Sequence, residues 1–136
     1  MVTRGKLILM VFAALLVAFG LGFGWGASGK TSLQTAVDES RQQLDLTDAR
    51  AQILDARVSL YNNNFGDASK HLDDSKASLR RVKARYQEAS RSDAATRIDA
   101  ALGHVDEAQR LAGKLDQSAN GKAGEALDAI KIAIAQ

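Results

Sequence analysis

Residues 65–89 read FGDASKHLDDSKASLRRVKARYQEA, and this stretch decides the fold class. Apolar or small side chains recur there in alternating steps of three and four residues, at Phe65, Ala68, Leu72, Ser75, Leu79, Val82, Tyr86 and Ala89. Because an α-helix has 3.6 residues per turn, this spacing places them all on one helix face. The stretch predicts an amphipathic helix with one buried face, and the chain has no proline to interrupt it.

The preceding helix, predicted over residues 33–62, carries two apolar stripes. The first has the four-three steps of a coiled-coil heptad: Leu33, Val37, Ser40, Leu44, Thr47, Ala51, Leu54, Val58 and Tyr61. The second begins past Asp45: Leu46, Ala49, Ile53, Ala56 and Leu60. Two adjacent stripes predict a wide apolar face that packs against more than one neighbour. The first half has only the narrow seam, which is typical of a stalk or coiled coil.

Three polar or glycine-containing breaks separate the helices, at residues 62–67, 90–93 and 119–121. Asparagine tolerates left-handed geometry in the first break, and Ser92 or Asp93 is the expected N-cap after the second. The Asn120-Gly121 pair fits the C-terminus of the third helix. The third helix shows Ala94, Ile98, Leu102, Val105, Ala108, Ala112 and Leu115, and the fourth shows Ala123, Leu127, Ile130 and Ile134. We therefore predict an all-α bundle of about four helices, arranged as αα-hairpins, over residues 33–136.

Residues 60–79 and 115–134 match at six positions with an offset of 55 residues. Either two related αα-hairpins or shared turn chemistry and alanine content gives such a match. Residues 64–72, NFGDASKHL, resemble the turn and second helix of a tetratricopeptide repeat. The resemblance covers about twenty residues, and the family's first-helix Trp/Leu-Gly-Tyr pattern and closing proline are absent. It implies an alternative function, a periplasmic adaptor or sensor that binds a peptide or small ligand.

Residues 7–27 read LILMVFAALLVAFGLGFGWGA and contain no charged side chain. A helix of about 20 residues, at about 1.5 Å per residue, spans the hydrocarbon core of a bilayer. Trp25 falls near its far end, where an indole ring suits the membrane interface. We predict a retained transmembrane anchor, and the alternative is a cleaved signal peptide, whose apolar region is usually shorter.

The flanking charges predict the orientation of this anchor. Arg4 and Lys6 precede it, and only Lys30 follows it closely. The positive-inside rule then puts residues 1–6 in the cytoplasm, followed by the anchor, a linker over residues 28–32 and an extracytoplasmic bundle. We expect a single-pass protein of the inner (cytoplasmic) membrane, with its bundle in the periplasm in a Gram-negative cell. Without Arg4 and Lys6, 16 of the 18 basic residues remain, and they balance the 16 acidic residues. The rest of the chain is therefore neutral, and no basic face indicates binding of nucleic acid.

Three groups of residues are candidates for protein contacts. Small residues in the anchor recur at four-residue steps and would allow close packing with another membrane helix, although they are also common in such helices: Ala14, Ala18, Gly20, Gly22, Gly24 and Gly26. Basic residues cluster at Arg80, Arg81, Lys83 and Arg85, where they either pair with acids on neighbouring helices or meet an anionic partner. Ile132 and Ile134 lie in an apolar C-terminus, which the bundle or another protein would cover.

No sequence motif indicates catalysis. The two histidines, His71 and His104, each have an acid three residues on, in the reverse order of the Glu-x-x-His motif of di-iron bundles, and are interpreted as surface residues. The chain has no cysteine, no phosphate loop and no hydrolase motif, so we predict no enzyme, metal or cofactor. The predicted function is a non-catalytic scaffold or accessory subunit of a larger membrane complex. Its expected partners are membrane lipid and other transmembrane subunits or a second copy of itself.

Overall fold

A computed structural model describes the backbone of residues 4–134 and the side chains of residues 32–134. Within these residues the structure is all-helical and contains no strand: α1 spans Arg4–Tyr61, α2 Phe65–Glu88, α3 Ser92–Ala112 and α4 Ala119–Ile134. The predicted all-α class and helical bundle are confirmed. The chain forms two compact units, Met1–Glu39 and Ser40–Gln136.

The first unit contains the predicted anchor. The side chains of the apolar run over residues 7–27, and with them its glycine and alanine stripe, lie outside the described part of the chain. Among residues 32–134, no helix is long and apolar enough to cross a membrane. The helical backbone of α1 continues through residues 28–32, for which we predicted a linker.

The second unit is a closed bundle in which each helix lies beside two others. Side-chain contacts mark the four neighbouring pairs, α1–α2, α1–α4, α2–α3 and α3–α4: Gln52 with His71, Arg57 with Asn120, Lys83 with Asp99, and His104 with Glu125. Apolar side chains from all four helices form the common core. A second small cluster, at one end, takes one alanine or leucine from each helix: Leu60, Ala68, Ala112 and Ala119.

Only one of the two stripes on α1 faces this core. The stripe that packs in the bundle is Leu46, Ala49, Ile53, Ala56 and Leu60, all buried. The heptad stripe is exposed, so the expectation of one wide face packed in the bundle is wrong. Both neighbours of α1, α2 and α4, lie on the side of the second stripe, where Ala49 and Ala56 allow close approach of the helices.

Of the face predicted for α2, Phe65 is half-buried and Ala89 lies exposed beyond the helix end. The other six residues are all buried: Ala68, Leu72, Ser75, Leu79, Val82 and Tyr86. The same holds in α3 for Ala94, Ile98, Val105, Ala108 and Ala112. Two turn predictions have different outcomes. Asn63 has a φ of 59°, the left-handed geometry expected in the first break. The N-cap of α3 is Arg91, which makes no side-chain capping bond, so the N-cap predicted at Ser92 or Asp93 is wrong.

The turn between α3 and α4 also lies elsewhere than predicted. Helix α3 ends at Ala112 and α4 begins at Ala119, so Asn120 and Gly121 lie inside α4 and do not end the third helix. The residue with left-handed backbone is Leu115, whose φ is 57° and whose side chain is exposed rather than on the core face. On α4, Ala123 and Ile130 are buried, whereas Ile134, predicted on the same face, is 46% exposed.

Candidate interaction surface

The heptad stripe of α1 is the main exposed apolar feature of the bundle unit. Its large side chains, Leu44, Leu54, Val58 and Tyr61, are 63%, 49%, 61% and 81% exposed. Thr47 and Ala51 lie exposed between them. At about 100° per residue, the stripe is turned about 150° from the buried stripe on the same helix. Helix α1 therefore uses one face to build the bundle and presents the opposite face outward.

An open groove runs between α1 and α4, beside the C-terminal half of this stripe. Leu54, Val58 and Tyr61 line it on one side, with Arg57 and Asn120 at its polar edge, and its volume is about 350 Å³. Arg57 Nε donates to Asn120 Oδ1 at 2.8 Å, and Asn120 Nδ2 donates back to the Arg57 carbonyl at 3.2 Å. This two-way bond fixes the edge of the groove.

The predicted basic cluster on α2 is largely engaged within the bundle. Arg81 Nε lies 2.8 Å from Asp45 Oδ1, and Arg85 Nη2 lies 3.2 Å from the other oxygen of the same carboxylate. Lys83 Nζ contacts Asp99 at 2.6 Å. Arg80 is exposed and has no ion-pair partner among residues 32–134. The cluster thus ties α2 to α1 and α3, which is the first of the two alternatives set out from the sequence.

Lys76 shows the same role in a more buried position. Its side chain is only 11% exposed, and its ammonium group lies 3.2 Å from both Asp73 and Asp106. It also donates to Gln109 Oε1 at 2.5 Å. A buried cation is tolerated only when it is paired and hydrogen-bonded, and these three contacts meet that condition. Lys76 therefore links α2 to α3.

Neither histidine meets the acid that follows it three residues on. His71 Nδ1 bonds Gln52 Oε1 at 2.8 Å, and His104 Nδ1 lies 3.0 Å from Glu125 Oε2. The hydrogen bond from Lys122 holds the pKa of the Glu125 carboxyl below its usual value, and nearby His104 acts in the same direction. Within residues 32–134, no three His, Asp or Glu side chains are grouped so that they could hold a metal ion.

The C-terminal turn of α4 adds two exposed apolar side chains. Ile132 and Ile134 are 51% and 46% exposed, while Ile130, about one turn before Ile134, is fully buried. The bundle therefore covers one isoleucine of the apolar C-terminus and leaves the other two accessible.

Sequence reasoning found the heptad stripe but placed its second half on a wide face packed in the bundle. It also passed over Arg50 and Asp55, two exposed charges that flank the stripe. Heptad lettering would have found them, because positions e and g beside an apolar a/d seam are where coiled coils place paired charges. Comparison with protein-family models, curated proteins and solved structures finds no match for this chain.

Proposed function

We propose that this protein is a membrane-anchored, non-catalytic helical scaffold, an accessory subunit of a larger membrane complex. The observation that carries the proposal is the exposed heptad stripe on α1, Leu44 to Tyr61. Single exposed apolar residues are ordinary, but a row of large ones on one helix face indicates a binding surface. A helix that offers an apolar face at heptad spacing is suited to bind another helix.

The non-catalytic part of the proposal is supported by what the polar side chains do. Asp45, Lys76 and Lys83 are committed to ion pairs that join helices. His71 is hydrogen-bonded to Gln52, and His104 Nδ1 lies 3.0 Å from Glu125 Oε2. These groups stabilise the bundle, and a structural framework for protein contacts is the role that such an arrangement supports.

The membrane part of the proposal is supported by the sequence. The uncharged run over residues 7–27 is long enough to span a bilayer, and Arg4 and Lys6 favour a cytoplasmic N-terminus. The bundle would then lie outside the cytoplasm, in the periplasm of a Gram-negative cell. Other transmembrane subunits, or a second copy of the chain, would be held in the same membrane.

The experiment is purification of the full chain in mild detergent, followed by mass spectrometry of co-purifying proteins. Val58→Glu should reduce recovery of the partner by about tenfold or more, because it forces an unpaired carboxylate into an apolar contact. Ala77→Glu introduces the same carboxylate on the exposed face of α2. It is the control and should leave recovery unchanged. If no protein is recovered, or if Val58→Glu loses none, the proposal is wrong.

A second candidate function, an adaptor that binds a peptide or small ligand, is favoured by the groove between α1 and α4. Its apolar wall and the fixed Arg57–Asn120 edge resemble the mix of surfaces that ligand sites use. The same purification separates the two functions. An adaptor would carry a bound peptide or small molecule and would lose it in Asn120→Ala, whereas a scaffold would carry a protein subunit and keep it.

A further inference from the structure

We propose that the stripe of α1 is the contact between two copies of this chain, joined as a parallel, in-register coiled coil over residues 40–61. The inference rests on the proposed function, because it names the partner of the same surface. It follows from the spacing of the stripe, from the charges beside it and from its place on the side of α1 away from the bundle.

The spacing assigns each residue of the stripe from Leu44 to Tyr61 a heptad position. Leu44, Ala51 and Val58 take position a, and Thr47, Leu54 and Tyr61 take position d. Thr47 Oγ1 already donates to the Gln43 carbonyl at 2.8 Å, so this hydroxyl can face a partner without an unsatisfied donor. In the sequence, the same register begins upstream at Leu33 and Val37.

The flanking charges select the orientation of the two helices. Arg50 takes position g, and Asp55 takes position e of the following heptad. In a parallel, in-register pair, g of one helix lies beside the next e of the other, so Arg50 of each copy meets Asp55 of the other, twice by symmetry. An antiparallel pair over the same stretch would instead set Asp48 beside Asp55 and Arg50 beside Arg57, all like charges.

These charges are free to pair between copies. Asp48, Arg50 and Asp55 are exposed, and none has an ion-pair partner among the side chains of residues 32–134. By contrast, the basic residues of α2 are mostly paired within the bundle, as with Arg81 and Asp45. The seam itself is turned about 150° from the core-facing stripe, so a second helix can approach it from outside the bundle. Near Leu54, Val58 and Tyr61 it would lie beside Asn120 of α4. A parallel pair also suits two chains held by N-terminal anchors in one membrane.

The chain has no cysteine, so single cysteines can report the geometry of the full-length protein in its membrane. Thr47→Cys and Tyr61→Cys both lie at position d, where a parallel, in-register pair places each residue beside its own copy. Both variants should give a disulfide-linked dimer on mild oxidation. Ala77→Cys on the exposed face of α2 is the matched control and should form no disulfide link between copies. In the antiparallel pair, copies of either residue would be at least about 15 Å apart, beyond the reach of a disulfide.

A charge exchange gives an independent readout. In mild detergent, Arg50→Asp should weaken dimerisation of the full chain by roughly three- to tenfold, because two attractions become two repulsions. The double variant Arg50→Asp with Asp55→Arg restores opposite charges and should recover the affinity. Loss of affinity in both the single and the double variant would contradict the pairing.

The outcomes separate this inference from the proposed function. If neither Thr47→Cys nor Tyr61→Cys links, while Val58→Glu releases a different protein subunit, the second copy is the wrong partner and the scaffold proposal stands. If both cysteines link but no other protein co-purifies, the dimer is right and the accessory-subunit role is wrong. A link at only one of the two positions overturns the parallel register.

Discussion

Replacing Leu72 with alanine tests whether the bundle core is assigned correctly. Leu72 is fully buried on α2, and more than half of the apolar residues buried with it are alanines. Alanine buries little area, so the few large side chains supply most of the hydrophobic stabilisation. Leu→Ala at a buried site costs about 2–5 kcal/mol, a large share of the roughly 5–15 kcal/mol that keeps a domain folded.

For a domain of about 100 residues, that loss corresponds to a fall in Tm of roughly 10–30 °C. The assay is thermal unfolding of the full chain in mild detergent, with far-ultraviolet circular dichroism as the signal that monitors the loss of helix. The matched control is Leu115→Ala, because Leu115 is 69% exposed and the left-handed backbone there disfavours leucine and alanine alike. A fall in Tm for Leu72→Ala no larger than that of the control would refute the core assignment.

Two further predictions concern the chain ends and a turn. A reporter fused after Gln136 should be active only outside the cytoplasm, and Met1 should remain on the mature protein; cytoplasmic activity would contradict the orientation, and an N-terminus near Ala27 would contradict the anchor. Leu115→Gly should raise the free energy of unfolding by about 1 kcal/mol, because glycine adopts a φ of 57° without the strain that leucine carries there. Chemical denaturation would measure it, and a loss of stability would show that the leucine side chain matters more than its backbone geometry.

The sequence predicted α2 well because only one face of that helix is a candidate for burial. The large apolar side chains, such as Leu72, Leu79 and Val82, recur at helical spacing on one face. The other positions of the helix are polar, charged or small. Periodicity then has a single solution, and the structure buries that face. Helix α2 has no second apolar face that could have packed into the bundle instead.

Helix α1 offers two solutions, and periodicity alone does not choose between them. Both stripes carry large apolar side chains and alanine, the heptad stripe at Leu54 and Val58 and the buried stripe at Ile53 and Leu60. Burial follows where α2 and α4 pack, and alanines at Ala49 and Ala56 let those helices come close. Such a choice depends on long-range packing, which one helix's sequence does not contain.

The position predicted for the turn between α3 and α4 was wrong for a similar reason. Asn120-Gly121 is a strong local signal for a helix end, but Asn120 is held by Arg57, which lies 63 residues away in the chain. The bond keeps Asn120 inside the first turn of α4, and the left-handed residue falls at Leu115 instead. A tertiary hydrogen bond therefore overrides the local preference, and no pattern in the sequence near Asn120 predicts that bond.

The distribution of large apolar side chains on α1 bears on why the stripe would be covered. The bundle fills much of its core with alanine while four large side chains, Leu44, Leu54, Val58 and Tyr61, lie outside it. Covering them would add apolar burial that the alanine-rich core lacks. A partner that binds only the folded bundle stabilises it in proportion to its own concentration. The proposed membrane anchor would raise the local concentration of such partners, so an alanine-rich core and an exposed stripe are compatible features of one chain.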